Sequence, residues 1–238
     1  MMICKQVYKG FLIILALLPA FVCGCTSSAG SNPFSGASWQ EDVLLHDGRV
    51  VVVDRWVERG GRHEIGQKPP FKEQKLSFTM PDTKQKITWE DHFSQDLGMA
   101  NFLPMLLDVH NNTAYLVVET MGCLSYNKWG RPNPPYVIFK YTGNQWQRIS
   151  LQELPVEIKT VNMISSMPDI VVERAGTSFI TKEMIQKIVS EYRQPEHQTI
   201  LREPIKPCIE HNCFGSQVYC PDYNSQQYRS FKAPIPIP

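Results

Sequence analysis

Val43-Leu44-Leu45-His46-Asp47-Gly48-Arg49-Val50-Val51-Val52-Val53 sets an Asp-Gly pair between two short aliphatic runs. Asp-Gly supplies the positive φ angles that a tight turn between antiparallel strands needs. The stretch therefore predicts a β-hairpin. Further along, Leu76-Ser77-Phe78-Thr79-Met80 alternates as a half-buried strand should, and Pro81-Asp82 opens a turn into Lys86-Ile87-Thr88-Trp89. A second hairpin runs from Leu103 to His110, turns at Asn111-Asn112 and returns through Ala114 to Val118. A third runs from Tyr136 to Tyr141, turns at Gly143-Asn144 and returns through Trp146 to Ile149. Short strands at this spacing point to a mainly β fold of antiparallel hairpins, in a sandwich or an open barrel. Three hairpins are too few for a closed propeller, and no internal repeat is visible.

After about residue 160 the pattern changes. Thr181 can cap a helix over 182–194, and Pro195 stops it. Met184, Ile185, Ile188, Val189 and Tyr192 form one apolar stripe, which packs on the sheet. From Pro195 the chain is rich in proline and cysteine, and Ala233 to Pro238 reads as an extended or disordered tail. The organisation is a leader over 1–24, a tether over 25–38, a β domain over 39–160, a helix-containing segment over 161–203 and a Cys/Pro-rich segment over 204–238.

The leader decides the address. Lys5 and Lys9 precede an uncharged apolar run from Phe11 to Val22. That run is shorter than the roughly 20 residues that cross a bilayer and fits a signal-peptide core. Val22-Cys23-Gly24-Cys25 then resembles the bacterial lipobox, which implies cleavage after Gly24 and a diacylglycerol on the Cys25 thiol. Cys23 is the rival acceptor, but Val22 is bulky for the place before the cut. Ordinary cleavage near Ser27-Ser28-Ala29, or an uncleaved anchor, are the alternatives. Thr26 follows the cysteine where an inner-membrane retention signal resembles Asp, so the expected location is the outer membrane, facing the periplasm. Two acyl chains or more hold a protein on a membrane stably, and residues 26–38 span roughly 20 Å as a flexible coil.

Without residues 1–24 the chain carries 22 basic and 23 acidic residues, a net charge of −1. No basic stripe is present, which excludes nucleic acid as the expected partner. Apart from Cys25, that part of the chain holds Cys123, Cys208, Cys213 and Cys220. An even count in an oxidising compartment predicts two disulfides with three possible connectivities. One is expected to be local to the tail; the other would staple the tail to Cys123. His211 with the three tail cysteines is the metal alternative, but the spacings C-x4-C and C-x6-C lack the tight C-x2-C hook of zinc sites. No metal and no cofactor is assigned.

Leu45 to Arg49, Gly60 to Gln67 and above all Cys123-Leu124-Ser125-Tyr126-Asn127-Lys128-Trp129-Gly130-Arg131-Pro132-Asn133-Pro134-Pro135 through Tyr141, continued by Trp146 to Leu151, Arg193 to Glu196 and Ile200 to Arg202, resemble a family of uncharacterised proteobacterial envelope proteins. The resemblance implies an envelope location and brings no activity. In the central run, Tyr126, Lys128, Trp129 and Arg131 lie where prolines stiffen what reads as a surface loop. A pre-ordered aromatic and Arg loop loses little entropy on binding; alternatively, Trp129 folds back over a core edge. Carboxylates neighbour imidazoles at His46-Asp47, His63-Glu64, Glu90-Asp91-His92 and Asp108/His110, but strand neighbours face opposite ways. No hydrolase, zinc-protease or nucleotide-binding motif is present, and no catalytic residue is assigned. The leading expectation is a non-enzymatic envelope lipoprotein, a binding or structural protein whose partner is another protein or an envelope component. An immunity lipoprotein against a periplasm-acting toxin is one alternative. A cell-wall or lipid hydrolase using Asp108, His110 or His92 is the other.

Overall fold

The computed structural model describes residues 36–61, 63–206, 216–223 and 225. The leader, Cys25, most of the tether, Cys208, His211, Cys213 and the terminal Ala233–Pro238 stretch lie outside the described residues.

The protein is mostly β, built on two open sheets. One has the order β4-β3-β2-β1-β9, from β1 (Ala37–Leu44), β2 (Val50–Arg59), β3 (Phe71–Thr79), β4 (Lys86–Asp91) and the two-residue β9 (Phe179–Ile180), which runs parallel to β1. The other has the order β5-β6-β7-β8, from β5 (Phe102–His110), β6 (Thr113–Thr120), β7 (Tyr136–Thr142) and β8 (Gln145–Ile149). All other pairings are antiparallel. β1 starts at Ala37, two residues inside the expected tether.

The turns behave as their residues dictate. Asn111 and Asn112, with φ of 48° and 55°, and Gly143 and Asn144, with 57° and 62°, are two-residue turns with both positions left-handed. The first hairpin differs in detail. Leu44 pairs with Val50, the Leu45 N–H donates to Arg49 O, and only Gly48 is left-handed, at 88°. It is therefore a three-residue loop closed by glycine. All four hairpin turns lie at one end of the domain. Arg49 there reaches Asp82 (2.9 Å), Gln85 reaches Asn144 (3.3 Å), and the His46 N–H reaches Asp108 (2.9 Å). Ala37 pairs with Val57 at the opposite end.

The facing sides of the sheets share one core. Val53, Leu76, Phe78 and Trp89 of the first meet Leu107, Leu116 and Val118 of the second. The back of the second sheet is covered as well. There Leu106, Val117 and Ile138 pack with Leu154, Ile158, Ile164, Ile185 and Val189 from beyond the last hairpin. Burial on both faces is why β5 and β6 read as unbroken apolar runs rather than alternating ones.

The C-terminal helix forms with the predicted cap, the Thr181 hydroxyl accepting from the Met184 N–H. It is α3 (Lys182–Ser190), four residues shorter than the expected 182–194. Beyond Ser190 the chain turns away before Pro195 is reached, and the Gln198 carboxamide folds back to donate to Ser190 O and Tyr192 O. Two helices were not anticipated: α1 (Gly122–Lys128), where a surface loop between strands was expected, and α2 (Pro168–Ala175). The structure pairs Cys123 with Cys220 across 97 residues. Closing a loop of that length stabilises by about 4–5 kcal/mol in the chain-entropy model.

Asn162 joins the sheets. Its Oδ1 accepts from Leu107 N (3.0 Å), and its Nδ2 donates to Leu107 O (2.8 Å) and Leu44 O (2.9 Å). Leu107 lies on the edge strand of the second sheet and Leu44 on β1 of the first. Removing the carboxamide strands two buried backbone groups of Leu107, each costing about 1–3 kcal/mol, and frees the part-buried Leu44 O. Asn162→Ala should lower stability by about 3 kcal/mol, read as an earlier urea midpoint with an unchanged slope.

Candidate functional site

The aromatic segment predicted to offer a loop is drawn inward instead. Tyr126 is 2 % exposed, and its hydroxyl donates to Pro132 O (3.0 Å). The Trp129 ring lies 4.6 Å from Phe102, and its indole N–H donates to Asn101 Oδ1 (3.1 Å), so it covers a core edge. Arg131 donates to Cys220 O (2.9 Å) and Pro221 O (3.1 Å), which holds the disulfide-linked tail. Lys128 faces outward and reaches Asp96 (3.0 Å). The four residues form no single exposed patch.

At the turn end a different group assembles. Asp108 on β5 is 3 % exposed. Its Oδ1 takes His46 Nδ1 (2.6 Å) and the Val109 N–H (2.7 Å), and its Oδ2 takes the His46 backbone N–H (2.9 Å). Burial pushes the Asp108 carboxyl above its ordinary value, while the His46 ring and backbone bonds work the other way. With the carboxylate accepting, Nδ1 is the donor in this contact, and the opposite ring nitrogen, Nε2, faces away from Asp108. That Nε2 lies 3.4 Å from Nδ1 of His110, and the ring centres are 5.2 Å apart. The sequence paired Asp108 with His110, but the residue that bonds it is His46, 62 positions away.

Beside His46 and Asp108 opens a cleft of about 270 Å³, walled by Asp42, Lys159, Thr160, Lys182 and Gln186. A carboxylate-oriented imidazole there can accept or relay a proton. Nε2 is bonded to another imidazole rather than to a serine, threonine or cysteine.

The remaining predicted pairs are dispersed. His92 is exposed and bonds Glu73 (2.7 Å), not Asp108 or His46. His63 meets Gly61 O (3.0 Å). Asp91 is buried and accepts from Gln74, Asn101 and Phe102, each at 2.8 to 2.9 Å, so it ties β3 and β4 to the start of β5. Burial raises its carboxyl.

Two buried ion pairs had no sequence signal. Arg55 donates to Glu41 (2.9 Å) and to Ile164 O (2.9 Å) under the first sheet. His197 meets Glu119 at 3.0 Å behind the second. Among the described residues, no group of three or more His, Cys, Asp or Glu side chains is arranged to hold a metal ion. No family model, no curated protein and no solved structure matches the chain.

Burial alone would lower the His197 pKa, but Glu119, through its hydrogen bond and charge, and Glu196 hold the imidazole above its ordinary value. A raised folded-state pKa adds stability that is fully present below the unfolded value, about 6.5, and fades as pH rises through the folded one. His197→Gln should therefore cost more stability at pH 5.5 than at pH 8.5. Paired denaturant titrations check this.

Proposed function

We propose that the chain is an envelope lipoprotein, held in a membrane by diacylated Cys25, that binds a protein partner without catalysing a reaction. The observation that carries the reading is the leader: Lys5 and Lys9, the apolar run to Val22, then Val22-Cys23-Gly24-Cys25. The Cys123–Cys220 disulfide supports an oxidising compartment. The likeness of the Cys123–Tyr141 run to proteobacterial envelope proteins supports the same address. In a two-membrane cell Thr26 favours the outer membrane, with the domain in the periplasm.

A second reading has one observation in its favour. Asp108 orients His46 beside a cleft, as carboxylates orient bases in hydrolases, which keeps a cell-wall or lipid hydrolase open.

The anchor is tested by radiolabelled palmitate and intact-mass analysis of the protein and of Cys25→Ser. Incorporation into the membrane fraction of the first, abolished in the second, supports the proposal; an acyl-free N-terminus contradicts it. Loss of any cell-wall or lipid cleavage in His46→Gln would favour the second reading.

A further inference from the structure

We propose that His46 and His110 form a transition-metal site at the turn end of the β domain. The inference does not depend on the lipid anchor.

As a hydrogen bond, the contact between the two rings is poor. It spans 3.4 Å, against about 2.9–3.0 Å for ordinary N–H donors, while the His46 Nδ1–H is committed to Asp108 and leaves Nε2 facing His110. As the spacing of two ligands on one ion, it fits. Two imidazole nitrogens each about 2.05 Å from a tetrahedral ion lie about 3.4 Å apart, and their ring centres lie about 5.2 Å apart. The observed values are 3.4 Å and 5.2 Å. Both distances are compatible with a shared ion near the tetrahedral angle.

The supporting groups also fit. Metal-bound imidazoles usually give their other N–H to a carboxylate, which fixes the tautomer and makes the free nitrogen a better donor. Asp108 does this for His46 and also grips its backbone N–H. The backbone of His110 is set by its pairing with Thr113 across the Asn111-Asn112 turn. Both rings reach solvent in part: His46 keeps 18 % of its side-chain surface, and His110 is half-buried. Imidazole pairs suit Zn²⁺, Cu²⁺ or Ni²⁺ rather than Mg²⁺ or Ca²⁺. With two protein ligands, the remaining positions fall to water, or to a donor group from whatever docks at this end.

The test is calorimetric titration of the full, metal-stripped protein in detergent with Zn²⁺, alongside electron paramagnetic resonance with Cu²⁺. The proposal expects one ion per chain and copper hyperfine structure from two imidazole nitrogens. Affinity should fall at least tenfold in His110→Ala, whose turn-end position spares the core, and about 10- to 100-fold in Asp108→Asn. His92→Ala and His211→Ala should bind as the parent does. Absent binding, binding unchanged in His110→Ala, or binding lost only in His211→Ala would overturn it.

Discussion

The carboxamide of Asn162 is bonded at once to β5 and to β1, which belong to different sheets. An edge strand exposes unpaired N–H and C=O groups that invite other chains. Here the edge of β5 is occupied from within. Leu107 exchanges both its groups with Asn162, and Met105, at the bulge beside Pro104, accepts from the N–H groups of Asn162 and Met163. Proline tolerates that place because it has no N–H to lose. One side chain thus closes an edge, sets the separation of two sheets and starts the layer that covers the second.

That layer contains the unusual chemistry. Residues 151–201 bury the back of β5 to β8, and their irregular backbone must be satisfied. Arg202 answers much of that demand, donating to the carbonyls of Leu151, Leu154, Pro155 and Ile158 at 2.7 to 3.1 Å. Arg55 does the same for Ile164, and Glu41 balances its charge. A buried pair of this kind adds little net stability, because desolvation offsets the attraction, and losing either partner is costly. Its effect is to select one seating for the covering segment. The same seating brings Lys159, Thr160 and the start of α3 against the first hairpin, which creates the cleft next to His46.

The hairpins were legible because their signals are local. Asn111-Asn112 and Gly143-Asn144 sit between apolar runs, and each turn forms as read. Thr181 capped its helix for the same reason. That helix stops at Ser190, four residues short of the span Pro195 suggests, and the chain beyond it is held by the Gln198 carboxamide, a contact no local pattern announces. Prolines and glycine suggested a loop that offers Tyr126 and Trp129, whereas Trp129 takes the alternative place, folded back over a core edge. The segment is instead wound into α1 by the Cys123–Cys220 link and by Arg131 holding the tail. The His46 and Asp108 contact was hidden by its 62-residue separation. Only the knowledge that two hairpin turns share one end would have paired them.

If Asn162 secures the edge as described, the Leu107 amide lies on an outer strand yet opens only when the domain does. Native-state hydrogen exchange on the intact protein measures this directly. Protection of Leu107 equal to that of the central β6 amides, and well above the outward amides of β8, is the result predicted. A Leu107 amide that exchanges as fast as those of β8 would contradict the account.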